Sequence, residues 1–320
     1  MALALTGALV FTGCSAKGEA AKGEGGIPDK KVTVIVPAAA GAALDVRARV
    51  LMSQFVEGKI GQSVVIDDQG AAGPTEFVLH NDNDYTLYVA STSALTSNLL
   101  FTQSNYTEED MIPLATIDRE EFGLFVCPDR TGITEIGDLR ERGGTIKYAT
   151  GKVGSLGHIA CFTAFDQLGI PAEHVVTTGA SVSLTECLGG HNDICFAGLE
   201  LARQYVEEGN LVPVLTFNEE DYQGYEGITV PSLKTLGGDY SVASVVAVFA
   251  RKDVPEDTRR YLTDVILETL EETECREALK QAGVVNLYHI SGEELDDYIA
   301  EEKENYKEVG VKAGLTLVGQ

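Results

Sequence analysis

The residues with the clearest capacity for chemistry lie in one turn. Lys31 to Arg49 reads K-V-T-V-I-V-P-A-A-A-G-A-A-L-D-V-R-A-R. A strand-like run, Val32 to Val36, meets Pro37, then a Gly/Ala loop, then a helix-period segment carrying Asp45, Arg47 and Arg49. A strand that ends in such a loop and opens a helix leaves main-chain N–H groups pointing outward. These can hold an anion without a cationic side chain. The chemistry predicted is capture: this turn faces a second one, and the two close on a small carboxylate. Taken alone, the turn reads more readily as an ordinary strand-to-helix connection of an α/β protein. Asp45 fits a cap or brace for its own loop and also an acceptor for a ligand amine or hydroxyl. Arg47 suits a ligand carboxylate or a solvated helix face.

Catalytic patterns are weaker. Val153-Gly154-Ser155-Leu156-Gly157 approaches a nucleophile elbow, but G-x-S-x-G requires Gly at 153. Ser155 and His158 stand three apart, without a marked partner acid. His158 at a helix start suits a structural role, and Ser155 suits either a cap or a ligand contact. No G-x-x-x-x-G-K-[ST] occurs. His80, His158, His174, His191 and His289 lack metal-ligand spacing, so neither a metal nor a cofactor is implied.

The bulk properties narrow the partner. A net charge of −25 over 320 residues opposes nucleic-acid binding, which needs a basic surface, and adsorption to an anionic bilayer. It permits a local anion site built from main-chain dipoles, because distant charges are screened by salt. Met1 to Gly13 is apolar, small and uncharged, and Phe11-Thr12-Gly13-Cys14 is similar to a bacterial lipoprotein signal, cleaved before a lipidated Cys14. Ser15 to Gly26 is small, polar and charged, and reads as a flexible tether. Beyond it no apolar run reaches about 18 residues, so no spanning helix is expected. Cys127, Cys161, Cys187, Cys195 and Cys275 are odd in number and scattered, which reads as buried free thiols.

Strand-length apolar runs alternate with helix-period segments through the rest. Strands are expected at Val32–Val36, Val64–Ile66, Tyr85–Ser91, Leu114–Ile117, Phe122–Val126, Ile146–Ala149, Asp193–Ala197, Val212–Thr216 and Val242–Ala250. Helices are expected over Leu44–Val56, His158–Leu168, Ser183–Leu188, Leu199–Glu208 and Pro255–Ala282, with a last one opened by a Ser291/Glu294 capping box. Tyr222 to Gly238 reads as loop. Two α/β units with two β-rich crossings suit a two-lobed binder or, equally on this basis, one doubly wound sheet.

Several stretches in order resemble one family. V-I-V-P-A-A-A-G-A-A-L-D-V-R-A-R is similar to the opening signature of the substrate-binding proteins of tripartite tricarboxylate transporters, the Bug family. Pro37, Gly41, Asp45, Ala48 and Arg49 match, while Ala38, Ala42 and Ala43 replace the usual aromatic and glycines. Asp84-Tyr85-Thr86-Leu87 resembles its G-Y-T-L strand entry. Tyr148 to His158 resembles Y-A-S-x-G-x-G-S-x-x-H, with Gly151 one place early. Gly179-Ala180, Leu184-Thr185-Glu186, Leu188-Gly189-Gly190 and Asp193 resemble K-G followed by L-T-D-L-L-G-G-x-V-D, with Thr178 in place of Lys. Val230-Pro231-Ser232-Leu233 resembles V-P-T-V.

The resemblance implies an α/β type II periplasmic-binding-protein fold. Two lobes are joined by two crossing strands, with a cleft between them for a di- or tricarboxylate. The expected organisation is a signal peptide over 1–13, a lipidated tether over 14–26, lobe one from 27–124 plus 246–320, and lobe two from 125–245. Loops between strand and helix supply the expected contacts: Ala39, Ala40, Gly41 and Asp45, then Ser91, Thr92 and Ser93, from lobe one; Thr150, Ser155, His158, Gly179 and Ala180 from lobe two. Each such helix start favours negative charge by roughly 0.3–1 kcal/mol. The expected protein is a monomer with no catalytic activity, held outside the cytoplasmic membrane by lipid alone and passing its ligand to permease subunits. A feed to a sensor kinase, or a secreted hydrolase using Ser155 and His158, are the alternatives.

Overall fold

The computed structural model describes residues 26–80 and 85–319. The lipidation and tether expectations at Cys14 to Gly25, and Asp84 of the strand-entry motif, lie outside the described residues.

Eleven strands form among the described residues: β1 (Val32–Val36), β2 (Val64–Asp68), β3 (Tyr85–Ser91), β4 (Met111–Val126), β5 (Ile146–Thr150), β6 (Ala172–Val176), β7 (Ile194–Gly198), β8 (Val212–Thr216), β9 (Tyr222–Tyr225), β10 (Ile228–Val230) and β11 (Ala243–Arg251). The main sheet runs β2-β1-β3-β11-β4-β7-β5-β6, with β8 also on β4. β1 pairs in parallel with β2 and β3, and all five of its residues are buried, as a strand covered on both faces requires. β4 joins the halves. Met111 to Glu121 pairs antiparallel with β11, and Phe122 to Val126 pairs with β7 and β8.

Each half has its own core. One gathers Val34, Leu51, Leu87 and Val248, with Leu262, Ile266 and Leu270 packed on them from the helix Glu256–Glu271. The other gathers Leu124, Tyr148, Phe165 and Phe196, together with Tyr306 and Val309 of the last helix, Gly292–Lys312. That helix therefore reaches the second core after starting beside β4, where Ser291 bridges Ala115.

Several expectations change. The two runs around Leu114 and Phe122 are one 16-residue strand, because the polar stretch between them is paired along its length with β11. The segment after Ala43 is helical to Ile60, but its middle, Arg49–Val56, is a π-helix. The helix expected to reach Ala282 breaks at Glu272, which is extended, giving Glu256–Glu271 and Thr273–Gln281. Ser291 does start the last helix, without a side-chain capping bond. β9 and β10 form a hairpin in the expected loop. The five described cysteines are free and buried, and no described helix is long and apolar enough to cross a membrane.

One contact ties the last helix to the cleft. A Cβ on Gly310 would lie 2.2 Å from Phe101 Cζ, with two more ring atoms within 3.0 Å. Gly310→Ala is expected to cost about 1–3 kcal/mol in chemical denaturation through overpacking. Phe101→Leu in the same chain should remove most of that loss if the ring is the obstacle.

Candidate functional site

Four strand-to-helix connections converge between the two halves, and three of them enclose a cavity of about 400 Å³. β3 feeds a short 3-10 turn, Thr92–Ala94, whose first N–H groups are met by Ser91: its hydroxyl accepts from the Ser93 N–H at 3.3 Å. The helix Ser97–Phe101 follows. Ser91, Ser93, Ser97 and Asn98 line the cavity from this side.

β5 feeds the opposite side. Gly154, at φ +81°, turns the chain into Ser155, the N-cap of the helix Leu156–Leu168. Ser155 Oγ accepts from the His158 main-chain N–H at 3.4 Å, and the Gly154 N–H donates to His158 Nδ1 at 3.2 Å. The third connection follows β6. Thr177 Oγ1 donates to the Thr150 carbonyl at 2.9 Å and lies 2.7 Å from Ser183 Oγ. This fixes Gly179 at the start of the helix Ala180–Leu188, which has no side-chain cap. Its first N–H groups are the orphan donors that an anion can satisfy.

The floor is apolar. Phe122 and Phe196 stack with centroids 4.8 Å apart, and Phe101, Leu156 and Leu315 complete the wall. Lys152 is the one charged side chain among the described residues lining the cavity. The cavity therefore offers hydroxyls, helix N-termini, one ammonium and no carboxylate.

His158 and His174 lie beneath this surface with ring centroids 4.5 Å apart. Burial and then His174 push His158 down to about 4, and burial lowers His174 as well. Both rings are neutral at physiological pH. The hydrolase alternative asked the His158 ring to activate Ser155. Instead, His158 meets Ser155 through its main chain, and Nδ1 takes the Gly154 amide.

Of the expected contacts, Ser91, Ser93, Thr150, Ser155, Gly179 and Ala180 line one cavity. Thr92 is buried one layer behind it, and so is His158. Ala39, Ala40 and Gly41 do not line this cavity; they are exposed. Their loop folds back on its own helix, because Asp45 Oδ2 accepts the Gly41 N–H at 2.7 Å and Asp45 Oδ1 lies 2.6 Å from Arg49 Nε. Asp45 is thus a buried brace, the first of its two expected roles. Arg47 does not lie on a solvated helix face: it is mostly buried and its Nη1 lies 3.2 Å from Asp118 Oδ2 on β4.

The opening loop, the fourth connection, instead borders a second chamber of about 630 Å³ through Ala43 and Leu44. Asp118, Glu120, Glu121 and Glu200 line that chamber, with Arg47 and Arg119. Ser91 and Ser244 line both chambers, so the two adjoin, and their hydroxyls lie 3.1 Å apart. Sequence reasoning missed Ser97, Asn98, Ser183 and Ser244. The first two continue the hydroxyl-rich run S-T-S-A-L-T-S-N, which was the available signal. Phe122 and Phe196 carry no such signal, since any buried strand holds phenylalanines.

Residues 48–315 match the model of the tripartite tricarboxylate transporter family receptor. A protein of the tcbD-tcbE intergenic region of Pseudomonas sp. strain P51 is 24% identical over 270 residues, 80% of this chain and 79% of its own. A TctC solute-binding protein from Polaromonas superposes with a TM-score of 0.74 at 22% identity, covering 89% of this chain and 99% of its own. An R. palustris protein solved with adipate does so with a TM-score of 0.74 at 22% identity, covering 90% and 99%. The expected two-lobed periplasmic-binding-protein fold is borne out.

Proposed function

This chain belongs to the tripartite tricarboxylate transporter receptor family, and we propose that it captures a small dicarboxylate-type anion outside the cytoplasmic membrane. The permease subunits of a tripartite transporter receive the ligand. The observation that carries this reading is the composition of the 400 Å³ cavity: hydroxyls, uncapped helix N–H groups and Lys152, with no carboxylate in its lining. The acidic side chains lie in the adjoining chamber, so the field across the cleft directs an anion to the first. The adipate held by a relative of the same fold supports the ligand class.

In this reading residues 27–124 with 246–320, and residues 125–245, are the two lobes. Ser91, Ser93 and Ser97 contribute from the first, and Thr150, Ser155 and Ala180 from the second. A ligand touching both sets favours the closed arrangement by its difference in affinity for the two states. A lipid on Cys14 holds the protein at the membrane, and the protein acts as a monomer without chemistry of its own.

A thermal-shift panel of mono-, di- and tricarboxylates tests the reading. A ligand at about 100 times its dissociation constant should add about 2.7 kcal/mol. If amines or neutral solutes raise the melting temperature and no carboxylate does, the proposal is lost.

A further inference from the structure

The last helix places one carboxyl group behind the cavity wall. Thr92 and Thr96 alternate with the cavity-lining Ser91, Ser93 and Ser97, and their hydroxyls turn the other way. Thr92 Oγ1 donates to Glu302 Oε1 at 3.1 Å, and Thr96 Oγ1 donates to Glu302 Oε2 at 3.0 Å. Both threonines are fully buried. Glu302 thus holds both ends of the turn that presents the serines.

Its other side opens on a separate cavity of about 230 Å³, lined also by Arg119, Tyr240, Tyr298 and Tyr306. Water entering there can exchange a proton with Glu302 without passing through the ligand site. Tyr306, one helical turn on, has a buried hydroxyl without a hydrogen-bond partner among the described residues.

We propose that Glu302 is a positioning residue for the ligand cavity, and that gain or loss of a proton at its carboxyl sets how strongly the serine-lined wall holds an anion. This rests on the reading of the cleft as a carboxylate site. The ionised carboxylate accepts from both threonines, but adds a negative charge one residue layer from the anion. Protonation removes the charge and gives one oxygen a hydrogen to donate. Burial pushes the Glu302 carboxyl up to about 7, against the threonine and Tyr298 hydrogen bonds that lower it.

The surroundings offer little compensation. Tyr240, Tyr298 and Tyr306 stay neutral, raised by burial. Arg119 shares the cavity with Glu219 and Glu301, and its guanidinium lies 5.9 Å over the Tyr288 ring. From the turn, Thr92 and Thr96 bring only hydroxyls.

The test compares wild type with Glu302→Gln, binding the tightest carboxylate of the panel between pH 6 and pH 8. Wild-type affinity should fall about tenfold as pH rises, the size of one pKa unit of coupling. Glu302→Gln should bind with a flat profile near the wild-type pH 6 value. Thr96→Val, which removes one bond to the ionised form, should move the wild-type midpoint upward. Equal pH profiles in wild type and Glu302→Gln would overturn the proposal, because Asp118, pushed up to about 6 in the adjoining chamber, would then account for the titration.

The unliganded protein supplies a readout that separates this inference from the ligand reading. At pH 8, amides of residues 92–101 should exchange more slowly in wild type than in Glu302→Gln, because only the ionised carboxylate accepts from both threonines; equal exchange counts against Glu302. If no carboxylate binds either protein and the exchange difference is present, the ligand reading fails and the positioning role stands.

Discussion

Arg47→Ala is expected to lower stability by about 3 kcal/mol at pH 8 and by much less at pH 5. Arg47 leaves the first helix and reaches the crossing strand, where its Nη1 lies 3.2 Å from Asp118 Oδ2; the two side chains are 12% and 3% exposed. Burial pushes Asp118 up to about 6 even with Arg47 pulling it down, and Glu120 adds to the rise. Glu120 is raised by burial and lowered by Arg47 in the same way. Removing one partner of a buried pair costs about 3–5 kcal/mol when the other stays charged.

The pH contrast follows from linkage. Asp118 binds its proton more tightly in the folded state than in the unfolded state, so its contribution is fully present at low pH and falls as pH rises from about 4 through 6. Without Arg47 both carboxyls hold protons to still higher pH, and the fall extends toward pH 8. At pH 5 Asp118 is largely neutral, and less charge is left unpaired. Urea unfolding at the two pH values measures this. Equal losses at pH 5 and pH 8 would show that Arg47 contributes through its packed stem rather than its charge, and Arg47→Met, which keeps the stem, should reproduce the pH contrast.

Four consecutive charges on β4 explain where the sequence is hard to read. Asp118, Arg119, Glu120 and Glu121 interrupt the apolar pattern of β4 and divide it into two apparent strands. What keeps them in one strand is tertiary: the β11 ladder alongside and Arg47 from a distant helix. By contrast β1 is buried on both faces and shows as an unbroken apolar run. The Gly, Ser and Thr loops after β3, β5 and β6 were legible because small residues before a helix have few other uses. The loop after β1 has a similar composition, yet Asp45 accepts from its Gly41 amide and the loop does not line the 400 Å³ cavity. Composition marks which loops can present N–H groups; a single internal acceptor decides which of them do.

Ser155→Asp is the second large expected effect, and it separates holding the helix from holding the ligand. Ser155 caps the helix Leu156–Leu168 and also lines the cavity. Aspartate is as good an N-cap as serine, and its charge suits the helix start. The variant should therefore keep its stability within about 0.5 kcal/mol, and its fold. Its carboxylate would stand where the ligand carboxylate is expected. Two like charges about 4 Å apart at an effective dielectric constant near 20 repel by about 4 kcal/mol. Carboxylate affinity should drop by at least about a hundredfold, since about 1.4 kcal/mol is a factor of ten. Ser155→Ala makes the opposite trade: about 1 kcal/mol of stability goes with the cap, while the amides and the neighbouring hydroxyls still face the ligand and affinity falls less. Calorimetric titration and denaturation on both variants give the crossed pattern if Ser155 faces the anion. If Ser155→Asp binds carboxylates as wild type does, the anion does not sit at this helix start, and the cradle shifts to Gly179 and Ala180, whose helix has no side-chain cap to compete with it.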